Sequence, residues 1–308
     1  MNIPILFIVF NRPDTTQKVF EQIAKAKPNK LYIVADGPRD THIKDIEDCN
    51  EVKKIINNVD WDCTVLKLFH TNNIGCGMSP ISGINWFFEN EEMGIILEDD
   101  CLPDLSFFYF CEELLLKYKN DERIMMISGN NFQNGIKRGN SSYYFSKQTT
   151  TWGWATWKRA WKLFDMNLSS FNDFKENNII ANIFFNKSME KYWLNIFQLV
   201  YDKKILFVWD YQWLYSVITN NGLCINPNVN LITNIGFDEN ATHTKDKYSR
   251  MSNLPSFSIN GISHPKFILA SKEADEYFFE KYCLPLKIAL MVRLKTIIKK
   301  ILVRLKRL

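Results

Sequence analysis

Along the first hundred residues, short apolar runs alternate with stretches of helical spacing. Ile5–Phe10 is an unbroken aliphatic and aromatic run, the pattern of a parallel strand buried on both faces. Asn11-Arg12-Pro13-Asp14 interrupts it, and Pro13 stands near the start of an amphipathic helix extending to Ala26. Lys30–Ala35 reads as a second strand, stopped by Asp36-Gly37-Pro38. A charged helical segment from Ile43 to Asn57 follows, then a strand at Cys63–Phe69, a helix at Ile81–Asn90 and a strand at Gly94–Leu97. Repeated βα units of this kind predict an α/β fold with a Rossmann-like, mostly parallel central sheet flanked by helices. Ligands of such sheets collect at the carboxyl ends of the strands. Here those ends carry Asn11/Arg12, Asp36/Gly37, Asn72–Gly77 and Glu98-Asp99-Asp100.

Beyond residue 106 the rhythm changes. A helix at Ser106–Tyr118 precedes a strand at Ile124–Ser128, and a tryptophan-rich stretch covers Thr151–Trp161. Helical spacing returns at Asn186–Tyr201 and Asp210–Asn220, whereas Asn226–Lys247, rich in Asn, Gly and Thr, reads mostly as loop. No internal repeat or low-complexity linker divides the chain.

Of the 308 residues, 46% are hydrophobic and 23% charged, which excludes disorder for most of the chain. The aromatic share of 14% suits either a large core or a groove that stacks on sugar rings or bases. The net charge of +4 is unevenly spread. Residues 281–308 hold nine Lys or Arg and no acid, so removing them leaves residues 1–280 at −5. That is the reverse of a nucleic-acid-binding body, and no nucleic-acid partner is expected. The seven cysteines form no CxxC pair and the four histidines show no zinc spacing, which points to a reducing compartment. The apolar start lacks a basic n-region and a cleavage site, so it reads as a strand rather than a signal peptide.

Four places could carry chemistry. Three adjacent carboxylates after an apolar strand, Glu98-Asp99-Asp100, repel one another unless something positive lies among them. A divalent cation bound with a diphosphate answers that need, because oxygen ligands suit Mg2+ or Mn2+; the alternative is a solvated acidic turn. At the ends of the first two strands, Arg12 can fork onto a phosphate and Asp36 can accept from a base or ribose. Either residue could equally cap a helix or form a turn. Asp210, between Trp209 and Trp213, is either a helix N-cap or a general base for a sugar hydroxyl. His243 reads as a phosphate or metal contact or as a hydrogen-bonding loop residue, and Trp152, Trp154, Trp157 and Trp161 as core or cleft. Gly153 between two tryptophans suggests a close approach of backbone to ligand.

Taken in order, these residues resemble the GT-A-fold nucleotide-sugar glycosyltransferases. The likeness is strongest to the branch related to the Golgi N-acetylglucosaminyltransferase that starts hybrid and complex N-glycans. Bacterial family-2-like relatives share the opening Phe10-Asn11-Arg12-Pro13. The resemblance follows motif order over roughly residues 3–250. It implies that Asn11, Arg12, Asp36, Gly37, Glu98, Asp99, Trp154 and His243 bind the donor. Asp100 would hold Mn2+ or Mg2+, and Asp210 would be the catalytic base. Trp209-Asp210 resembles a Trp-Asp-Asp-Trp motif, although Tyr211 replaces the second Asp and Trp213 falls one residue late. Gly236 and His243 resemble a loop element that closes over the donor, at different spacing.

The implied activity is metal-dependent, inverting transfer from a nucleoside-diphosphate sugar, UDP-linked by expectation, to an acceptor hydroxyl on a glycan or lipid-linked oligosaccharide. Residues 1–105 would form the nucleotide-sugar half and 106–280 the acceptor half of one domain. A sugar nucleotidyltransferase is the rival enzyme, but it normally carries a glycine-rich loop after the first strand, where Asn11-Arg12-Pro13-Asp14 has none. A non-catalytic sugar-binding scaffold is the other rival. In the basic tail, apolar residues recur at helical spacing from Leu286 to Leu308 with cations on the opposite arc. This predicts an amphipathic helix that draws a cytoplasmic protein onto the anionic inner face of a membrane, or one that packs on protein.

Overall fold

The computed structural model describes residues 1–184, 186–205, 209–237 and 250–284. The tail from Leu286 and His243 lie outside the described residues, and so do the expectations placed on them. The first half runs β1 (Ile5–Val9), α1 (Pro13–Ala26), β2 (Lys30–Ala35), α2 (Lys44–Ile56), β3 (Thr64–Phe69), α3 (Gly75–Asn90) and β4 (Met93–Glu98). It continues through β5 (Cys101–Pro103), α4 (Leu105–Lys117), β6 (Ile124–Ser128), β7 (Tyr143–Ser146), β8 (Trp154–Trp157) and α5 (Lys158–Trp161). Then come α6 (Phe171–Glu176), α7 (Lys187–Tyr201), α8 (Asp210–Thr219), β9 (Leu223–Pro227), β10 (Ile232–Asn234) and α9 (Lys272–Phe278).

Eight strands form one sheet in the order β3-β2-β1-β4-β8-β6-β9-β7. Six run in one direction, while β8 lies antiparallel to β4 and β6, and β7 antiparallel to β9. This is the Rossmann-like, mostly parallel sheet that the βα rhythm predicts. All five residues of β1 are buried because helices cover both faces. One face packs Val19, Phe20 and Ile23 of α1 and the phenylalanines of α4 against Phe7, Ile33 and Leu97. The other packs α3, α5 and α8 against Leu6, Val34 and Ile96. A third cluster joins α6 and α7 to the far side of α8.

Two sequence expectations change. The helix read from Ile81 begins at Gly75 and carries Pro80 inside it. Its residue at the cap position, Ile74, offers no side-chain cap. Asp36, at the end of β2, accepts from the backbone N–H groups of Ile74 and Gly75 at 2.9 and 3.0 Å instead, satisfying donors that a local cap would otherwise take. The tryptophan-rich stretch is likewise not a ligand loop throughout: Trp154–Trp157 is the antiparallel strand β8 at the centre of the sheet. A short antiparallel ribbon, β5 with β10, falls partly in the segment read as loop and pairs Cys101 with Asn234.

Gly153 is held at φ +67°, and a Cβ there would lie 2.6 Å from Ile232 Cδ1. The close approach is therefore to protein rather than to ligand. Gly153→Ala is expected to lower stability by about 1–3 kcal/mol through strained backbone and overpacking. A urea midpoint that falls at unchanged slope is the check.

Candidate functional site

The carboxyl ends of β1 and β4 and the start of α8 converge on one cleft. Strand β4 ends at Glu98, and Asp99 and Asp100 follow before β5 begins. Asp99 is buried and accepts from the Phe10 N–H at 3.0 Å, which ties it to the end of β1. Asp100 is part-exposed and pairs with Arg12, Nη1 to Oδ2 at 2.9 Å. The second guanidinium nitrogen of Arg12 donates to the Gly236 carbonyl at 2.9 Å. The β5–β10 ribbon makes this contact possible, because it lays Ile235 N–H on the Asp100 carbonyl at 2.9 Å and brings Gly236 against the ion pair. A side chain at position 236 would collide with Asp100.

Asp210 is the first residue of α8. The cap position belongs to Trp209, which makes no side-chain cap bond. The N-cap alternative therefore gives way to a first-turn carboxylate, favoured by the helix dipole. Its charge reaches Glu98, whose proton affinity is raised first by burial and then by Asp100, Asp99 and Asp210, against the opposing pull of Arg12. Burial also raises Asp99, with Asp100 adding to it. Four carboxylates thus share one neighbourhood, and among the described residues the Arg12 guanidinium is set against them. Among the described residues, no three His, Cys, Asp or Glu side chains form a ready metal cage. An ion held through Asp100 would have to complete its shell from a diphosphate and water, which is how Mg2+ is commonly bound.

Three of the expected donor contacts have other work here. Both oxygens of Asp36, 5% exposed, are filled by four donors: the N–H groups of Gly37, Ile74 and Gly75 and the Asn73 amide, at 2.9 to 3.0 Å. With those acceptor positions taken, Asp36 clasps the loop between β3 and α3 rather than offering itself to a base. Gly37 is required because a Cβ would lie 2.4 Å from the Asn72 backbone. Trp154 is 0% exposed and lies in a cluster with Trp161, Trp209 and Trp213, at centroid distances of 5.7 to 6.1 Å. It supports the helix that carries Asp210 and presents no face to a donor. Asn11, beside Arg12, donates its amide to Asp45 at 2.7 Å.

Sequence reasoning missed Asp45 and Arg39, and reached Cys76 only as part of the strand-end stretch Asn72–Gly77. Burial alone would raise the Asp45 carboxyl, but bonds from Arg39 and Asn11 outweigh it and hold it below its usual range. Arg39 also lies over the Phe10 ring, 5.4 Å from its centroid. Cys76, in the first turn of α3, is half-buried and feels the charges of both Glu98 and Asp36. Arg39, two residues after Asp36-Gly37, could have been suspected from the sequence, whereas Asp45 lies inside a charged helical segment with nothing to single it out.

No protein-family model matches the chain, and no curated protein matches it. Among solved structures it is similar to a 4-diphosphocytidyl-2C-methyl-D-erythritol synthase from Anaerococcus prevotii, at 10% identity and TM-score 0.32, over 51% of this chain and 72% of that one. It is also similar to a cytidylyltransferase from Leptospira borgpetersenii, at 14% identity and TM-score 0.31, over 53% and 63%. Mouse xyloside xylosyltransferase 1 aligns at 10% identity and TM-score 0.34, over 70% and 81%. Likenesses of this size carry no functional weight, so the chemistry rests on the cleft itself.

The raised proton affinity of Glu98 has a thermodynamic sign. Its folded value, pushed up by burial and like charge, lies above the unfolded one, so the native state loses stability as pH rises between the two. Glu98→Gln removes that penalty. It is expected to stabilise the protein by on the order of 2 kcal/mol at pH 9, with the gain vanishing towards pH 4. Urea midpoints of both proteins across that range are the measurement.

Proposed function

We propose that the chain is a metal-dependent, inverting glycosyltransferase of GT-A type that uses a nucleoside-diphosphate sugar, UDP-linked by preference. The observation that carries this reading is the gathering of Glu98, Asp99, Asp100 and Asp210 around Arg12 at the carboxyl edge of the sheet. Such an excess of negative charge in one cleft is costly unless a cation joins it, and Asp100 stands part-exposed at its edge. The residues therefore fit Mn2+ or Mg2+, which when bound would supply positive charge to a departing diphosphate.

Arg12 is suited to fork onto the diphosphate of the donor. Asp210, at the start of α8, would take the proton of the acceptor hydroxyl as its oxygen bonds to the anomeric carbon. The bond from that carbon to the diphosphate breaks on the opposite side, and the nucleoside diphosphate leaves with the electron pair. Glu98 and Asp99 would orient the ribose and donor sugar. The acceptor is a glycan or lipid-linked oligosaccharide of a bacterial surface. The basic segment Leu286–Leu308 would hold the enzyme on the cytoplasmic face of an anionic membrane. In its motifs the chain resembles the branch of the Golgi N-acetylglucosaminyltransferase that starts hybrid and complex N-glycans.

The test is turnover and binding of UDP-, GDP- and CMP-sugars with Mn2+ and with chelator. Turnover of one nucleotide sugar that falls at least 100-fold on chelation, and equally in Asp100→Asn, is expected. No nucleotide-sugar binding would point to a scaffold. Diphosphate release from a nucleoside triphosphate and a sugar phosphate would point to a nucleotidyltransferase. For the tail, a chain lacking residues 286–308 is expected to stop sedimenting with anionic vesicles while keeping its turnover of soluble donor; unchanged sedimentation sinks the membrane role.

A further inference from the structure

At the other end of the same sheet edge lies a small cavity lined by Phe132, Gln133, Tyr144, Gln148, Thr150 and Asn226. Asn226 stands opposite Tyr144 in the β9–β7 pairing. Side chains alternate along a strand, and Cys224, two residues earlier, packs in the same core as Trp209 and Trp213. Asn226 therefore lies on the sheet face that carries α8 and Asp210.

Gln148 and Asn226 are 3% and 5% exposed. Gln148 Nε2 and Asn226 Oδ1 have no hydrogen-bond partner among the described residues. Their neighbour Gln133 is satisfied at both ends: its Nε2 donates to the Ala274 carbonyl at 3.2 Å, and its Oε1 accepts from Arg138 Nε at 2.7 Å. Buried polar atoms are nearly always paired. An orphan donor and an orphan acceptor on one cavity together call for a group that both accepts and donates. A hydroxyl does both, whereas a phosphate or carboxylate anion brings no donor and an ammonium no acceptor. The space of about 10 Å³ takes one oxygen-sized group and is partly open, so a larger ligand would enter by one hydroxyl and leave its body outside.

An aromatic row connects the cavity to the carboxylates. Phe237, next to Gly236 on the Arg12–Asp100 pair, lies 5.5 Å from Trp152 between ring centroids. Trp152 lies 5.7 Å from Phe132 on the cavity wall, and Phe132 lies 5.6 Å from Phe278. Phe132 and Phe237 are buried within this row, but Trp152 and Phe278 are half-buried, and a partly open ring beside a polar notch suits a molecule with C–H faces and a hydroxyl rim.

We propose that this cavity is a hydroxyl-recognition subsite for a carbohydrate acceptor, with Gln148 donating to the hydroxyl and Asn226 accepting from it. The assignment of the sugar as acceptor rests on the glycosyltransferase reading. The probes are a panel of methyl hexopyranosides, followed with the full chain by saturation-transfer NMR, with UDP-sugar binding measured separately. The wild type is expected to bind at least one glycoside, and Gln148→Met to bind it at least fivefold more weakly with UDP-sugar affinity unchanged. Asn226→Leu, close in size but lacking the acceptor, is expected to show the same loss and covers the case in which the Met variant does not fold. No glycoside bound by the wild type, or equal binding by wild type and variants, would leave the cavity a structural water site and overturn the proposal. Glycoside binding lost in the variants without any nucleotide-sugar binding would support the carbohydrate subsite while removing the transferase reading. Nucleotide-sugar turnover without glycoside binding would do the reverse.

Discussion

Mutual repulsion among the carboxylates after β4 is the constraint around which the cleft is arranged. Glu98, Asp99 and Asp100 are consecutive, and Asp210 is brought to them from α8. Each nearby feature eases one part of that repulsion. The Phe10 N–H takes Asp99, Arg12 takes Asp100, and the first turn of α8 takes Asp210. Glu98, left facing three like charges, has its proton affinity raised most plainly. A fold selected for stability alone has no reason to collect these groups; on the glycosyltransferase reading, a cation and a polyanion bound together would supply one.

The parallel half of the sheet was open to reading because its signals are local. A run such as Ile5–Val9 can be buried only on both faces, and the turn residues after β1, β2 and β4 fall at the strand ends where a ligand site forms. Arg12, Asp99, Asp100 and Asp210 were identified from that logic together with motif order, and they do come together. Asp36 could not be assigned the same way. Its four donors come partly from Asn73, Ile74 and Gly75, nearly forty positions away in the sequence, and no local pattern announces a cap supplied from another strand. Trp154 is opaque for a related reason. A tryptophan beside a glycine suits a cleft or a core equally, and the presence of three partner rings decides it.

The reassigned residues serve the cleft at one remove. By holding Ile74 and Gly75, Asp36 fixes the start of α3 and with it Cys76, whose thiol feels both Asp36 and Glu98. Trp154 packs on Trp209 and Trp213, so the position of Asp210 follows from the packing of β8 against α8. Small antiparallel additions do similar work: the three-residue ribbon of β5 with β10 is what sets Gly236 on the Arg12–Asp100 pair.

That pair bears directly on how a ligand would enter. In this structure Arg12 and Asp100 satisfy one another, and Gly236 closes over both. On the glycosyltransferase reading, a diphosphate competes with Asp100 for Arg12, while a divalent cation competes with Arg12 for Asp100. Either ligand alone breaks the Arg12–Asp100 pair without giving both part-buried charges a new partner, which is unfavourable. Arriving together, they exchange one pair for two. The same geometry therefore favours joint binding of cation and nucleotide sugar over binding of either one.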